Sequence, residues 1–438
     1  MTASAPALVQ LGATRDGLDP YRDAAAARGL PAVLVETPAY LAWRGRLGRA
    51  PFDDEIAVRQ PHDPAQVLAA LRDAAVRPAV LLAGFERYAA AAFDAAATLS
   101  VPPALPGRPP FRAPDKARQR ALLTALAPQV RQPRHSTDGQ GAGVPYPRVV
   151  KPVDGGGGLG VHLVEDERED HRARRLLART ANYGGGPFTG VLTEEYVSGT
   201  EYSVQGVAHD GRAHVLSVCE KIVLLEPETG GAPGPEPGPE TGPEPGRGPR
   251  GFREAGHLML PPSAADPGLC ALAQRALTAT GYRDGPFHLD AVAAHDGGLY
   301  FLEMGYRLSG GGLVALVERA VGARWADLAL AAHLGEEPVP HAPRDRGGAF
   351  YGQLACTHPG QVHRAGELAR AGARVTVLPA APVPPEASLD PAHAAVLASD
   401  RKRHAAVLGR VVVRGEDPDA VRRLLTDCAT LPTRVSAP

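Results

Sequence analysis

A lysine set directly before a run of glycines is the first place in this sequence where residue type and spacing suggest chemistry. In "RVVKPVDGGGGLGVHL", Arg148 to Leu163, Lys151 and Pro152 close one short apolar run, Gly155 to Gly158 and Gly160 follow, and a second apolar run opens at Val161. Glycine permits backbone conformations that bring N–H groups close to a phosphate, and the adjacent ammonium adds positive charge. Gly155, Gly157 and Gly160 satisfy G-x-G-x-x-G, but the following "VHLVED" is strand-like and a helix is expected only from about Asp166. A dinucleotide-binding turn needs its helix to open at the loop, so that reading fails. The pattern G-x-x-x-x-G-K-[ST] is missing as well, with His162 and Leu163 in place of the required residue types. What remains is a glycine-rich hairpin between antiparallel strands, able to fold over phosphates, or a flexible turn.

The elements that must position this loop follow from the apolar pattern. "ALVQLG", "PAVLVET", "EIAVRQ" and "PAVLLAG" read as strands, and "DPYRDAAAARGL" and "DPAQVLAALRDAA" as helices between them. Each helix is entered by Asp-Pro, Asp19-Pro20 and Asp63-Pro64, with aspartate as cap and proline in the first turn. Such alternation predicts a parallel sheet covered by helices, ending near Ala104. Six prolines between Pro102 and Pro114 mark a linker, and a new helix is expected from Asp115. "AHVLSVCEKIVLL" is strand-rich, whereas "GHLMLPPSAADPGLCALAQRALTAT" reads as a turn followed by a helix. Between them, Thr229 to Gly251 is almost wholly Gly, Pro, Glu, Thr and Arg, the composition of a disordered insertion inside a domain. Past Glu337, "FYGQLAC", "RVTVLPA", "GRVVVRG" and the helical "DPDAVRRLLTDCATL" predict a small β-rich cap. The expected domains are 1–104, 115–335 and 336–438.

Composition excludes several function classes. Lys plus Arg total 47 against 48 Asp plus Glu, so no global field draws the chain to nucleic acid or an anionic membrane. Cys219, Cys270, Cys356 and Cys428 form no C-x-x-C pair, which fits buried thiols in a reducing compartment rather than a disulfide scaffold or zinc site. No charged segment followed by an apolar signal core opens the chain, and no stretch of about 18 apolar residues occurs. A cytoplasmic protein acting on small molecules is the expectation, with a homodimer left open.

Three blocks, in order, carry a resemblance: Lys151 with its loop, "TEEYVSGTEYSVQG" from Thr193 to Gly206, and "FHLDAVAAHDGGLYFLEMGYRLSGGG" from Phe287 to Gly312. Together they resemble the ATP-grasp superfamily of carboxylate ligases, over roughly residues 1–335. That family clamps a nucleotide between two α+β subdomains, phosphorylates a carboxylate, and lets an amine or thiol displace the phosphate. The implied architecture is mixed α/β and α+β: an ATP-grasp fold, a Rossmann-like N-terminal (preATP-grasp) domain, and the β-rich cap.

Phosphoryl transfer is mostly positioning and neutralisation of charge, which gives each matched residue a physical task. The resemblance implies that Lys116 and Lys151 face the nucleotide's phosphates under a lid formed by Gly156, Gly157 and Gly158. It places Glu194 at the adenine amino group, the backbone of Glu195 and Val197 at the ring edge, and Glu201 on the ribose. Lys221 would hold the transferring phosphoryl group, and Arg307, whose fork holds two oxygens, the developing acyl phosphate or the substrate carboxylate. Asp290 and Glu303 lie on two strands joined by "HDGG", so their carboxylates face each other among apolar neighbours and suit Mg2+, with Mn2+ as an alternative. One departure is plain: where most relatives read Glu-x-Asn-x-Arg, this chain reads "EMGYR", with Gly305 in the asparagine's place.

Within the superfamily the chain looks most like the L-amino acid (dipeptide) ligases. Biotin-dependent carboxylases carry glutamate and histidine after the arginine, where Ser309 and glycines stand here. An acid–thiol ligase and a nucleotide-binding module without turnover are further alternatives. "LSGGG", Ser309 to Gly312, offers backbone N–H groups near the reacting centre, or is simply a tight turn. His257 reads as a hydrogen-bonded core histidine rather than a substrate contact.

Overall fold

The chain begins as a four-stranded parallel sheet: Ala7–Leu11, Ala32–Glu36, Asp54–Ala57 and Pro78–Ala83 lie in the spatial order third, second, first, fourth. The two central strands are buried at every position, as continuous apolar runs must be when helices cover both faces. The computed structural model describes residues 5–180, 182, 187–227, 248–260, 262–322, 324–338, 349–379 and 408–429.

The Asp-Pro signals are half right in detail. Asp63 caps the helix Pro64–Asp73 by accepting from the Ala65 N–H. Asp19, before Pro20–Ala26, caps nothing: it sits at φ 32° with its carboxylate 2.9 Å from Arg44, a buried pair that anchors the next helix. That helix, Pro38–Arg46, is not anticipated by the sequence reading, although Thr37 caps it and Pro38 opens it. Ala89–Leu99 is also unanticipated. Its alanine-rich sequence forms a helix because it packs on the sheet, not because it carries an amphipathic signature.

After the proline segment, Asp115 caps the helix Lys116–Leu126, as expected. Among the described residues twelve strands then form one large sheet whose ladders are all antiparallel. The strand Arg250–Leu260 is its seam. One edge pairs along most of its length with Arg212–Pro227; the other is shared, Arg250 and Gly251 pairing with His162–Val164, and Gly256 to Met259 with Phe350–Cys356. The glycine loop and the C-terminal cap are therefore both held to the middle of the sheet by one strand. "GHLML", read above as a turn, is the buried end of this strand. The C-terminal strands Phe350–Cys356, Gly409–Gly415 and Val375–Pro379 extend the central sheet.

Two apolar clusters fix the relation of the pieces. One joins Leu8, Trp43 and Tyr21 of the N-terminal domain to Val207, Leu316 and Trp325 of the central part, and the Trp325 indole N–H donates to the Gly206 carbonyl at 3.0 Å. The other packs Lys116–Leu126 and Pro267–Thr280 against the central strands. All four cysteines lie within the described residues and are free. Among those residues no helix is long and apolar enough to cross a membrane.

Most of the Pro/Gly-rich insertion, residues 228–247, lies outside the described residues. Its last two positions, Arg250 and Gly251, are already strand, and Pro227 pairs directly with Arg250. The flanks thus form a closed hairpin, and loop length costs such a closure little. Replacing residues 229–248 by a short Gly-Ser turn is expected to leave the thermal midpoint nearly unchanged. A drop of more than about 5 °C would show that the segment packs on the fold.

Candidate active site

The glycine hairpin, the central sheet and the N-terminal domain enclose a cleft of about 730 Å³, a size that suits a ligand of nucleotide scale. Every residue assigned above to the nucleotide, the metal ion or the transferring group lines it. The loop's shape needs its glycines: Gly157 and Gly158 sit at φ 64° and 74°, a region costly for any side chain. Arg148–Pro152 and His162–Val164 pair antiparallel on either side, so the loop is the hairpin the sequence suggests. Its helix, Glu167–Arg179, starts only after the second strand and is capped by Asp166.

Buried charges in this cleft come in opposed sets. Lys116 lies 3.0 Å from Glu303 and donates to the Gly155 carbonyl, tying the helix end to the loop. Burial works against the Lys116 ammonium, but Glu303 outweighs it and raises the pKa above the usual lysine value. In turn, burial alone would raise the Glu303 carboxyl; Lys116 and Lys151 overcome this and hold it at about 2. Lys221 faces three acids, Asp290 at 2.6 Å, Glu201 at 2.7 Å and Glu254 at 3.2 Å. Although burial opposes its charge, these acids keep it firmly protonated. Burial, with Asp290 and Glu254 nearby, raises Glu201 despite Lys221.

Glu194 departs from expectation. Its carboxylate is 2% exposed, with one oxygen 2.6 Å from Lys151 and the other 2.5 Å from Arg120, so both are engaged by cations of the protein. Burial pushes its carboxyl up, but Arg120 and Lys151 hold it below its ordinary value. Burial also lowers Lys151, against the pull of Glu194. Arg120 was not singled out in the sequence, although it stands one helical turn after Lys116. The Glu195 N–H is likewise engaged, donating to the Arg134 carbonyl at 2.8 Å, so it is not available to a ring edge.

At the opposite end, Arg307 is 2.7 Å from Glu86, which the N-terminal domain supplies. The Gly310–Gly312 turn is held from two sides. The Gly311 carbonyl accepts from Gln353 at 2.8 Å and Arg410 at 2.6 Å, and the Gly312 N–H donates to Asp16 at 3.0 Å. That N–H is therefore not free for a substrate, which agrees with the reading of this segment as a tight turn. His257 is buried between Glu254 and Gln353, at 2.8 and 3.2 Å, as its reading as a hydrogen-bonded core histidine requires.

Asp290 and Glu303 are direct cross-strand partners, as predicted. Oδ2 of Asp290 meets Lys221, while its Oδ1 is buried with no hydrogen-bond partner, an arrangement that a cation would complete. Among the described residues no group of three or more His, Cys, Asp or Glu side chains is arranged to hold a metal ion by itself. Two carboxylates with remaining positions left to phosphate and water are what Mg2+ accepts. Gly305 is not a simple vacancy for asparagine, because a Cβ there would lie 2.2 Å from the His288 ring.

Comparison with known proteins places this geometry. Residues 113–310 match the family model of the ATP-grasp domain. Solved structures of the same fold include an L-amino acid ligase from Bacillus licheniformis, 17% identical over 98% of both chains with a TM-score of 0.65. N5-carboxyaminoimidazole synthase from Aspergillus clavatus, in complex with ADP and a ribonucleotide, is 12% identical over 97% of this chain and 98% of its own, TM-score 0.60. The biotin carboxylase domain of Hydrogenobacter thermophilus 2-oxoglutarate carboxylase, with MgADP and bicarbonate, is 14% identical over 96% and 89%, TM-score 0.61. No curated protein matches the chain. Residues 113–310 thus resemble an ATP-grasp domain, and the chain shares the fold of these structures, with a parallel sheet preceding that region.

The Glu303–Lys116 pair makes a pH prediction. A carboxyl held at about 2 instead of 4.5 contributes stability that is complete above pH 4.5 and lost as pH falls towards 2. Glu303→Gln should therefore destabilise the protein most at neutral pH, with the deficit shrinking as pH falls through that window. Urea unfolding at a series of pH values reads this directly; a deficit independent of pH would contradict the pairing.

Proposed function

We propose that this protein is an ATP- and magnesium-dependent carboxylate–amine ligase, joining an amino acid or peptide through its carboxylate to an amine with release of ADP and phosphate. The carrying observation is the set of charges that line one cleft: Lys116 and Lys151 with the glycine loop, Asp290 facing Glu303, and Lys221, Glu254 and Arg307. Phosphoryl transfer requires neutralisation of charge around the migrating group, and this set supplies it.

In this reading Lys151, oriented by Glu194 and Arg120, and Lys116 bind the phosphates while the glycine loop covers them. Val197 and the Glu195 carbonyl read the adenine edge, and Glu201 faces the ribose. Asp290 and Glu303 hold the divalent ion, Mg2+ or Mn2+, which when bound neutralises the charge of the phosphates. Lys221 steadies the transferring group, and Arg307 holds the acceptor carboxylate and then the acyl phosphate. Glu254, with its carboxylate facing the cleft beside Lys221, is placed to attract an ammonium group of an amino-acid substrate. The turn after Arg307 offers Ser309 and glycines rather than an acid–base pair, which favours an amine acceptor over bicarbonate chemistry.

A screen of amino-acid pairs for phosphate release, with product mass measured, tests the assignment. Phosphate should appear only with both a carboxylate and an amine present, in step with an adduct lighter than the pair by one water. Glu303→Gln should lower turnover by at least about a hundredfold while nucleotide binding remains measurable. Phosphate release that ignores both substrates would count against a ligase, and full turnover by the variant against the metal role of Glu303.

A further inference from the structure

The one-turn helix Glu86–Tyr88 stands where the N-terminal domain meets the cleft. Its backbone is firmly mounted: the Tyr88 hydroxyl donates to Glu36 at 3.2 Å, and the Tyr88 ring packs edge-on against Phe85 with centroids 5.5 Å apart. Glu86 faces two parts of the cleft. Its carboxylate meets Arg307 at 2.7 Å, and its Cβ and Cγ lie 3.6 Å from where a Cβ on Gly156 would be, against the glycine loop. Arg87 follows directly and lines the same cleft.

Arg87 differs from the other cations of the cleft. Six lysines and arginines line it, and five of them are ion-paired: Arg15 with Glu36 at 2.8 Å, and Lys116, Lys151, Lys221 and Arg307 with the acids already named. Among the described residues Arg87 has no such pair, and its Nε is buried without a hydrogen-bond partner. Asp154, at the start of the glycine loop, acts on it only from a distance and already accepts from the Thr189 N–H at 3.1 Å. Burial works against the charge of the guanidinium and lowers its pKa. Arginine nevertheless keeps its proton, so an anion brought by a ligand is what completes it.

In the ligase reading the paired cations all have tasks. Lys116 and Lys151 serve the phosphates, Lys221 the migrating group and Arg307 the carboxylate under activation, while Arg15 is committed to Glu36 inside the N-terminal domain. An attacking amine that belongs to a molecule with its own carboxylate brings one anion more, and Arg87 is the cation left for it. We propose that Arg87 is a specificity-determining residue for the amine substrate: its guanidinium binds a free carboxylate there and selects amines that carry one over simple amines and amides. The planar fork of arginine holds both oxygens of a carboxylate at once, a match that a neutral amide does not offer. This assignment rests on the ligase reading of the cleft.

Steady-state kinetics on the full chain test it, with ATP and an acid that supports turnover both saturating and the amine partner supplied either as an amino acid or as the same amino acid's amide. The unmodified protein should show a KM for the amino acid lower than that for the amide by about tenfold or more. Arg87→Met should raise the KM for the amino acid by about tenfold or more, against less than about threefold for the amide, and Arg87→Lys should recover part of the loss. Equal KM values for acid and amide in the unmodified protein, or equal shifts for both in Arg87→Met, overturn the Arg87 assignment alone. So does a rise confined to the KM for ATP, which would give the guanidinium to the nucleotide's phosphates. Absence of an amide product with every acid and amine pair overturns the ligase reading and the Arg87 assignment with it.

Discussion

The cleft is organised by the cost of burying charge. Several lysines, arginines and carboxylates lie where water is scarce, and an unpaired ion there costs several kcal/mol. Each is therefore matched: Lys151 and Arg120 with Glu194, Lys116 with Glu303, Lys221 with Asp290, Glu201 and Glu254, Arg307 with Glu86. Removing one partner of such a pair costs about 3–5 kcal/mol, so these residues hold the fold as well as the chemistry. The same pairings mean that a polyanion and a cation enter together: phosphates can draw the lysines from their acids only if another positive charge takes those acids over.

That constraint explains the architecture around the cleft. Opposed charges must be brought from separate elements, and the antiparallel sheet does this by register: Asp290 and Glu303 face each other, and Lys221 comes from a strand two positions away in the sheet. The seam strand Arg250–Leu260 carries Glu254 while joining the glycine hairpin to the cap. The cap in turn reaches the Gly311 carbonyl through Gln353 and Arg410, and the N-terminal domain reaches the same turn through Asp16 and Arg307 through Glu86. All three parts of the chain thus set the far end of the cleft.

What was legible in the sequence was local. Lys151 is announced by its glycines, Asp290 and Glu303 by two strands and the "HDGG" turn between them, and the helices that open at Pro20 and Pro64 by their prolines. Arg120, Glu86 and Glu254 were not legible, because each pairs with a charged group far away in sequence and no spacing marks it. The environment of Glu194 was not legible either: burial against Arg120 and Lys151 decides what its oxygens do. "GHLML" read as a turn because of its glycine and the prolines behind it. Pairing on both edges makes it strand, and the sheet partners lie about 40 and 95 residues away.

The central claim is that this arrangement activates a carboxylate by phosphorylating it. With an acid and amine pair that supports turnover, the acid is supplied with 18O in its carboxylate and the released phosphate is analysed by mass. Attack of a carboxylate oxygen on the γ-phosphoryl group, followed by displacement at the carbonyl carbon, transfers one 18O to phosphate for each amide bond formed. The account predicts that stoichiometry; phosphate free of 18O while the amide accumulates would contradict it.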